Sequence, residues 1–194
     1  DLAAQLVGEI MAPQRTDVII DLCSAPGGKA AHLAALMENQ GEIIACDIHP
    51  HKLELLKKGF SRLGVSNVRT RLLDARQAVT VFGQASFDQV LADVPCSGLG
   101  VMRHKVDLKY HLEAESLPEI IVLQREILDS TWPLVKPGGF YTYSTCTINK
   151  DENENQIQEF LKNHPDATIV SEKMLLPFEY HTDGFYICKL RREF

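Results

Sequence analysis

Asp21-Leu22-Cys23-Ser24-Ala25-Pro26-Gly27-Gly28-Lys29 follows the β-branched run Val18-Ile19-Ile20 without a break and leads into an Ala/Leu-rich stretch from Ala30 to Met37. A short apolar strand, a glycine turn and a helix candidate form the opening of a strand–helix unit. The pattern recurs along the chain. Glu42 to Asp47 is a second strand, and Pro50 opens a segment with Leu53, Leu56, Phe60 and Leu63 at helical spacing. Val68 to Leu73 and Phe87 to Ala92 are the next two strands. Pro118 suits the first turn of a helix carrying Ile120, Leu123, Ile127 and Leu128. Gly138-Gly139 then breaks into the strand Phe140–Tyr143. Asn149, with Glu152 three residues on, has the form of a capping pair for a polar helix reaching Leu161. Two further strands, Ala167–Val170 and Phe185–Leu190, flank the turn-like Thr182-Asp183-Gly184. Strand–helix alternation of this kind predicts an α/β fold, a mostly parallel sheet with helices on both faces. In such a sheet ligands bind beyond the carboxyl ends of the strands. The loops after Leu22, Asp47, Leu73, Ala92 and Tyr143 are therefore where chemistry is expected.

The 194 residues suit one domain, and 45% hydrophobic with 24% charged residues is ordinary globular composition. No apolar run is long enough to span a membrane. A net charge of −6 is not that of a strongly basic nucleic-acid module, although a local basic strip is compatible with it. The five cysteines are odd in number and scattered, the closest two being 23 positions apart. That pattern fits neither a zinc site nor a disulfide scaffold, so no metal is expected and a reducing cytoplasm is. The chain opens on Asp1 with no signal-peptide pattern, which reads as a fragment of a longer protein.

The glycine loop is neither G-x-G-x-x-G nor a P-loop, so a nicotinamide dinucleotide or a nucleoside triphosphate is disfavoured. By itself it serves equally as a plain strand-to-helix turn. Asp47 adds weight: it ends the second strand 20 residues after Gly27, where a carboxylate commonly binds ribose hydroxyls. Asp74 ends the third strand, within reach of an adenine edge. Together these sites suit an adenosine ligand with a small anionic end at the helix N-terminus, as in S-adenosylmethionine. Cys96, in Asp93-Val94-Pro95-Cys96-Ser97-Gly98, and Cys146, in Ser144-Thr145-Cys146-Thr147, follow the fourth and fifth strands. Neighbouring strands lie ~4.8 Å apart, so both thiols could face one pocket. Cys46 and Cys188 read as buried hydrophobes.

These three motifs, in this order, resemble those of the RNA (cytosine-5)-methyltransferases, in particular the bacterial small-subunit ribosomal RNA methyltransferase B (Sun/Fmu) branch. The resemblance runs from near Asp1 to Arg192, with departures at Ser24 (usually Ala), Ala30 (usually Thr), Val106-Asp107 (usually Pro-Asp) and Tyr110 (often Trp). It implies a class I, Rossmann-like, seven-stranded sheet with a terminal antiparallel strand, and S-adenosylmethionine as methyl donor. It implies cofactor contacts from Cys23, Ser24, Ala25, Pro26, Gly27, Gly28 and Lys29, and from Asp47, Asp74 and Asp93. By the same resemblance Cys146 is the nucleophile, Cys96 assists product release, and an N-terminal RNA-binding domain belongs upstream.

Chemistry explains why two thiols are useful. A thiolate adding at carbon 6 of cytosine makes carbon 5 nucleophilic, and a second group aids the later elimination. Asp93 could bind the base at N3 or N4; Lys29 could favour a thiolate or orient the base. Chemistry does not decide which cysteine attacks, since DNA cytosine-5 methyltransferases use their Pro-Cys residue. The partner implied is single-stranded or locally melted RNA, most simply small-subunit rRNA, met by a monomer. Arg62, Arg69, Arg71 and Arg76 are candidate basic contacts, with Arg103, Lys105 and Lys109, which follow Cys96, the better placed. Two rival readings stay open: a methyltransferase for a protein or small molecule, and a non-catalytic RNA-binding factor on the same fold.

Overall fold

The computed structural model describes residues 2–101, 116–180 and 182–194. Seven strands form one sheet: β1 (Val18–Asp21), β2 (Glu42–Asp47), β3 (Val68–Leu72), β4 (Phe87–Asp93), β5 (Val135–Thr145), β6 (Ala167–Leu175) and β7 (Phe185–Arg192). Their spatial order is β3-β2-β1-β4-β5-β7-β6. The five strands from β3 to β5 are parallel, and β7 inserts antiparallel between β5 and β6. The chain starts in the middle, builds outward to β3 and returns to β4 beside β1. That reversal opens a crevice at the carboxyl tips of β1 and β4. The arrangement is the Rossmann-like sheet that the resemblance implies, with its antiparallel strand.

Side chains alternate across the sheet, and each face has its own helices. Ile19, Ile43, Leu91 and Ile187 pack with α1 (Leu2–Met11), α2 (Gly28–Leu36) and α3 (Pro50–Leu63). Ile20, Val90, Ala92, Tyr141 and Tyr143 pack on the other face, against α4 (Ala78–Phe82), α5 (Leu117–Thr131) and α6 (Glu154–Asn163). Strands covered on both sides read as continuous apolar runs, as β1 and β2 do. α3 shows the local logic. Pro50 lies in its first turn, Gly64 ends it in the left-handed conformation at φ 68°, and Leu53, Leu56 and Phe60 form its buried stripe. Each of those side chains contributes roughly 1.5–3 kcal/mol by burial. Leu63, at the end of the same predicted series, is exposed.

Three elements differ from the sequence reading. β5 begins at Val135 and runs through Gly138-Gly139 instead of starting at Phe140. The glycines mark an irregularity, since Phe87 pairs with Val135 but Gln89 with Phe140. A Cβ at Gly139 would meet the Asp88 carbonyl at 2.7 Å, so the glycine is a close-approach residue and not a breaker. β6 extends to Leu175 because, as an edge strand, it can carry the polar Ser171-Glu172-Lys173. Finally, Asn149 caps only a short 3₁₀ turn, Lys150–Glu152, and α6 starts afresh at Glu154. Glu152 therefore has another role.

Candidate active site

The loop after β1 is tied to both neighbouring strand tips. Leu22 N–H donates to the Leu91 carbonyl at 2.9 Å, and Ser24 N–H to the Cys46 carbonyl at 2.8 Å. Gly27 adopts φ +100°, and a Cβ there would meet Leu56 Cδ2 at 2.6 Å. Glycine is required twice over, by conformation and by the approach of α3. The loop delivers Lys29 in the first turn of α2, where its Nζ lies 2.6 Å from Asp93 Oδ2. Asp93 Oδ1 accepts from Ser144 Oγ at 2.8 Å, so the tips of α2, β4 and β5 converge on one carboxylate.

Asp93 and Ser144 are register partners, and one turn of loop beyond them the two cysteines meet. Cys96 Sγ and Cys146 Sγ are 3.1 Å apart, and Cys146 N–H donates to Cys96 Sγ at 3.2 Å. A backbone stack supports them. Gly100 N–H donates to the Cys146 carbonyl at 3.0 Å, and Gly184 N–H donates to the Gly100 carbonyl at 2.9 Å. A Cβ on Gly100 would stand 2.0 Å from the Gly184 carbonyl oxygen, so only glycine allows three loops to lie this close.

These groups border a cavity of about 660 Å³ that takes in Cys23, Ala25, Pro26, Lys29, Asp47, Asp74, Asp93, Cys96 and Cys146. Its size suits a nucleoside-sized ligand with a tail. A second cavity of about 620 Å³, between α1 and β6, is lined largely by Leu2, Leu6, Met174 and Leu175 and has no such convergence of reactive groups. Of the other predicted residues, Ser24 is buried in the loop, and Gly27 and Gly28 form the turn into α2. Asp47 accepts from His49 N–H at 2.9 Å. Asp74 borders the cavity, but its carboxylate is held by Arg76 Nε and Nη2, which keeps it below the usual carboxylate range. Arg76 also reaches Glu126, and Arg69 pairs with Glu42. Two of the four first-named basic candidates are thus committed to carboxylates. Arg103, Lys105 and Lys109, like Val106-Asp107 and Tyr110, lie outside the described residues.

Electrostatics divide the thiols and carboxyls. Burial pushes the Cys23 thiol well up, and Cys46 to about 12, so both are inert thiols. The hydrogen bond with Cys146, together with burial, raises Cys96 well above the ordinary thiol value. Burial opposes the charge on Lys29, but the Asp93 carboxylate outweighs it and keeps the ammonium protonated. The field of that ammonium extends to Cys146, and Nζ also lies 5.2 Å over the Phe185 ring.

Asp21, the last residue of β1, is 1% exposed beneath this cluster. Burial pushes its carboxyl from 3.8 up to about 7, with Ser24 and Lys29 opposing and Asp93 assisting. A carboxyl whose pKa is higher folded than unfolded stabilises the fold while protonated. That contribution is complete below the unfolded value and is lost as pH climbs through about 7. Asp21→Asn, neutral at every pH, is expected to match wild type near about pH 4 and to gain on it toward about pH 8, by up to ~4 kcal/mol in denaturant unfolding. A difference constant over that range would contradict a neutral buried carboxyl.

Comparison with known proteins bears on the same residues. The model of the family described as 16S rRNA methyltransferase RsmB/F matches residues 8–191. A protein of Bacillus subtilis named "Probable ribosomal RNA small subunit methyltransferase B" is 38% identical over 210 residues, covering 100% of this chain and 47% of its own length. Ribosomal RNA small subunit methyltransferase B of Vibrio cholerae is 36% identical over 199 residues, covering 100% of this chain and 45% of its own. The chain thus spans about half the length of these curated relatives. Among solved structures, NSun6 from Pyrococcus horikoshii, crystallised with SFG, superposes with a TM-score of 0.90 at 30% identity, covering 100% of this chain and 52% of that one.

Proposed function

The chain belongs to the 16S rRNA methyltransferase RsmB/F family, and from that premise we propose that it methylates carbon 5 of cytosine in small-subunit ribosomal RNA. The observation that carries the reading is the 3.1 Å approach of Cys96 and Cys146 at the rim of a cavity shared with the Lys29–Asp93 pair. A single nucleophile needs no second thiol beside it, whereas a second thiol at this distance can assist the later release of an adduct.

The residues present fit S-adenosylmethionine. Asp47, Asp74 and Asp93 border the cavity and give it the negative character that suits a sulfonium and an ammonium group. A Cβ at Gly28 would meet nothing within 4 Å, leaving room over the start of α2 for a carboxylate. Asp47 is the residue for the ribose hydroxyls, and Cys23, Ala25, Pro26 and Lys29, with the turn at Gly27 and Gly28, are those for the methionine end. When bound, S-adenosylmethionine supplies the sulfonium-borne methyl group that carbon 5 accepts.

The chain's own residues do the rest. Cys146 Sγ, as the thiolate, bonds to carbon 6, and the electron pair of the 5,6 double bond moves to carbon 5. Asp93, steadied by Lys29 and Ser144, hydrogen-bonds the base at N3 or N4 and favours the protonated, more electrophilic ring. Once carbon 5 is methylated its hydrogen passes as a proton to Cys96, acting as a thiolate base. The freed C–H pair restores the double bond, and the bond from sulfur to carbon 6 breaks with its pair returning to Cys146 as the thiolate. Arg103, Lys105 and Lys109 are assigned to RNA phosphates.

Substitution at carbon 5 must displace the atom already there. With RNA carrying tritium at carbon 5 of cytosine, the chain and S-adenosylmethionine are expected to release tritium in step with methyl incorporation. Methyl incorporation without tritium release would move the reaction to another atom.

A further inference from the structure

Glu152 is 0% exposed, yet among the described residues no cation pairs with it. A buried carboxylate is costly unless hydrogen bonds replace its water, and here five donors do so. Ser97 N–H and Gln124 Nε2 donate to Oε2 at 2.8 and 3.0 Å. Ser97 Oγ, Asn149 Nδ2 and Thr147 Oγ1 reach Oε1 at 2.5, 3.2 and 3.3 Å. Ser97 follows Cys96 in the chain and Thr147 follows Cys146. One carboxylate therefore grips the residue next to each thiol, and Ser97 Oγ and Thr147 Oγ1 also lie 2.9 Å apart.

The next residue completes the clamp. Asn153 Oδ1 accepts from Thr145 Oγ1 at 2.5 Å, and its Nδ2 donates to the Thr147 carbonyl at 2.9 Å, so it brackets Cys146 from both sides. Tyr143 Oη donates to the Glu152 carbonyl at 2.8 Å, fixing the backbone from which both side chains project. An apolar residue in this place would cost less to bury but could not accept from two loops at once. Acceptor-only character is the property the site uses.

We propose that Glu152 is a positioning residue: it sets the separation of Cys96 and Cys146 and so governs their successive action on the substrate, an inference that rests on the methyl-transfer reading above. Glutamine is the mildest test, because its amide turns one acceptor into a donor facing donors. Alanine removes the clamp altogether.

The experiment pairs activity with a probe of the thiols themselves. Dibromobimane, which fluoresces on bridging two close thiols, is expected to cross-link Cys96 to Cys146 in wild type. In Glu152→Gln the cross-linking rate and kcat are expected to fall together by about tenfold, and in Glu152→Ala by more, with KM for S-adenosylmethionine within about twofold of wild type. Iodoacetamide should still alkylate each thiol singly, and thermal melts should stay cooperative. If Glu152→Ala does not fold, Glu152→Gln decides. Wild-type cross-linking rates in a folded variant would overturn the proposal. Wild type that cross-links but does not methylate RNA would overturn only the functional reading, leaving the clamp to be judged by the bimane rates.

Discussion

Cys146→Ala is expected to abolish turnover, by on the order of 10³-fold or more, and to eliminate covalent capture of RNA containing 5-fluorocytosine. Fluorine at carbon 5 cannot leave as a proton, so a chain that has attacked carbon 6 stays attached and migrates slowly on a denaturing gel. Three features favour the thiol of Cys146 over that of Cys96 as the attacking group. The hydrogen bond with Cys146, seconded by burial, raises the Cys96 thiol well above its ordinary value. The Lys29 ammonium interacts electrostatically with Cys146. Cys146 also stands beyond Ser144, whose hydroxyl contacts Asp93, so attack and base binding share one strand tip. The fold should survive the change, since the supports of this loop are backbone bonds to Gly100 and side chains other than the thiol. Undiminished capture by Cys146→Ala would reverse the assignment and make Cys96 the nucleophile.

Cys96→Ala is expected to have the opposite signature. Attack and methylation proceed, release does not, and a protein–RNA adduct accumulates even with unmodified RNA. The reason lies in the coupling of the two sulfurs. The largest cause of the high Cys96 pKa is its hydrogen bond with Cys146, seconded by burial. When Cys146 is bonded to carbon 6 that partner is gone, and Cys96 becomes more acidic at the moment a base is needed. Steady-state turnover is expected to fall at least about a hundredfold, with a single-turnover burst of methyl incorporation retained. A variant that turns over normally without accumulating adduct would show that release needs no second thiol.

Much of this was open to reading in the chain itself, for identifiable reasons. Acidic residues closing the apolar runs at Asp47 and Asp93 mark the tips of buried strands, and Asp74 marks that of the edge strand β3, whose Arg69 and Arg71 are tolerated because it is half exposed. Two cysteines each placed after such a run, on strands that pair, had to approach one another. The less visible features depend on partners distant in sequence. Glu152, read as half of a capping pair, takes a donor from 55 residues away, and no local periodicity announces that. Asp21 acquires its high pKa only once the helices close over it. Phe185 comes under Lys29 only because β7 is threaded back beside β5. Helix α1, Leu2–Met11, has no acidic residue in its first turn and no basic one in its last to announce it, although its Ala3, Val7 and Met11 stripe is buried.

The stacking of Gly184 on Gly100, and of Gly100 on Cys146, has a consequence for the life of the molecule. The carbonyl of Cys146, the proposed nucleophile, is braced by a loop that is itself braced by residue 184, far along the chain from it. The seat of the Cys146 sulfur is accordingly finished only once the segment carrying Gly184 has been made and has folded back over it.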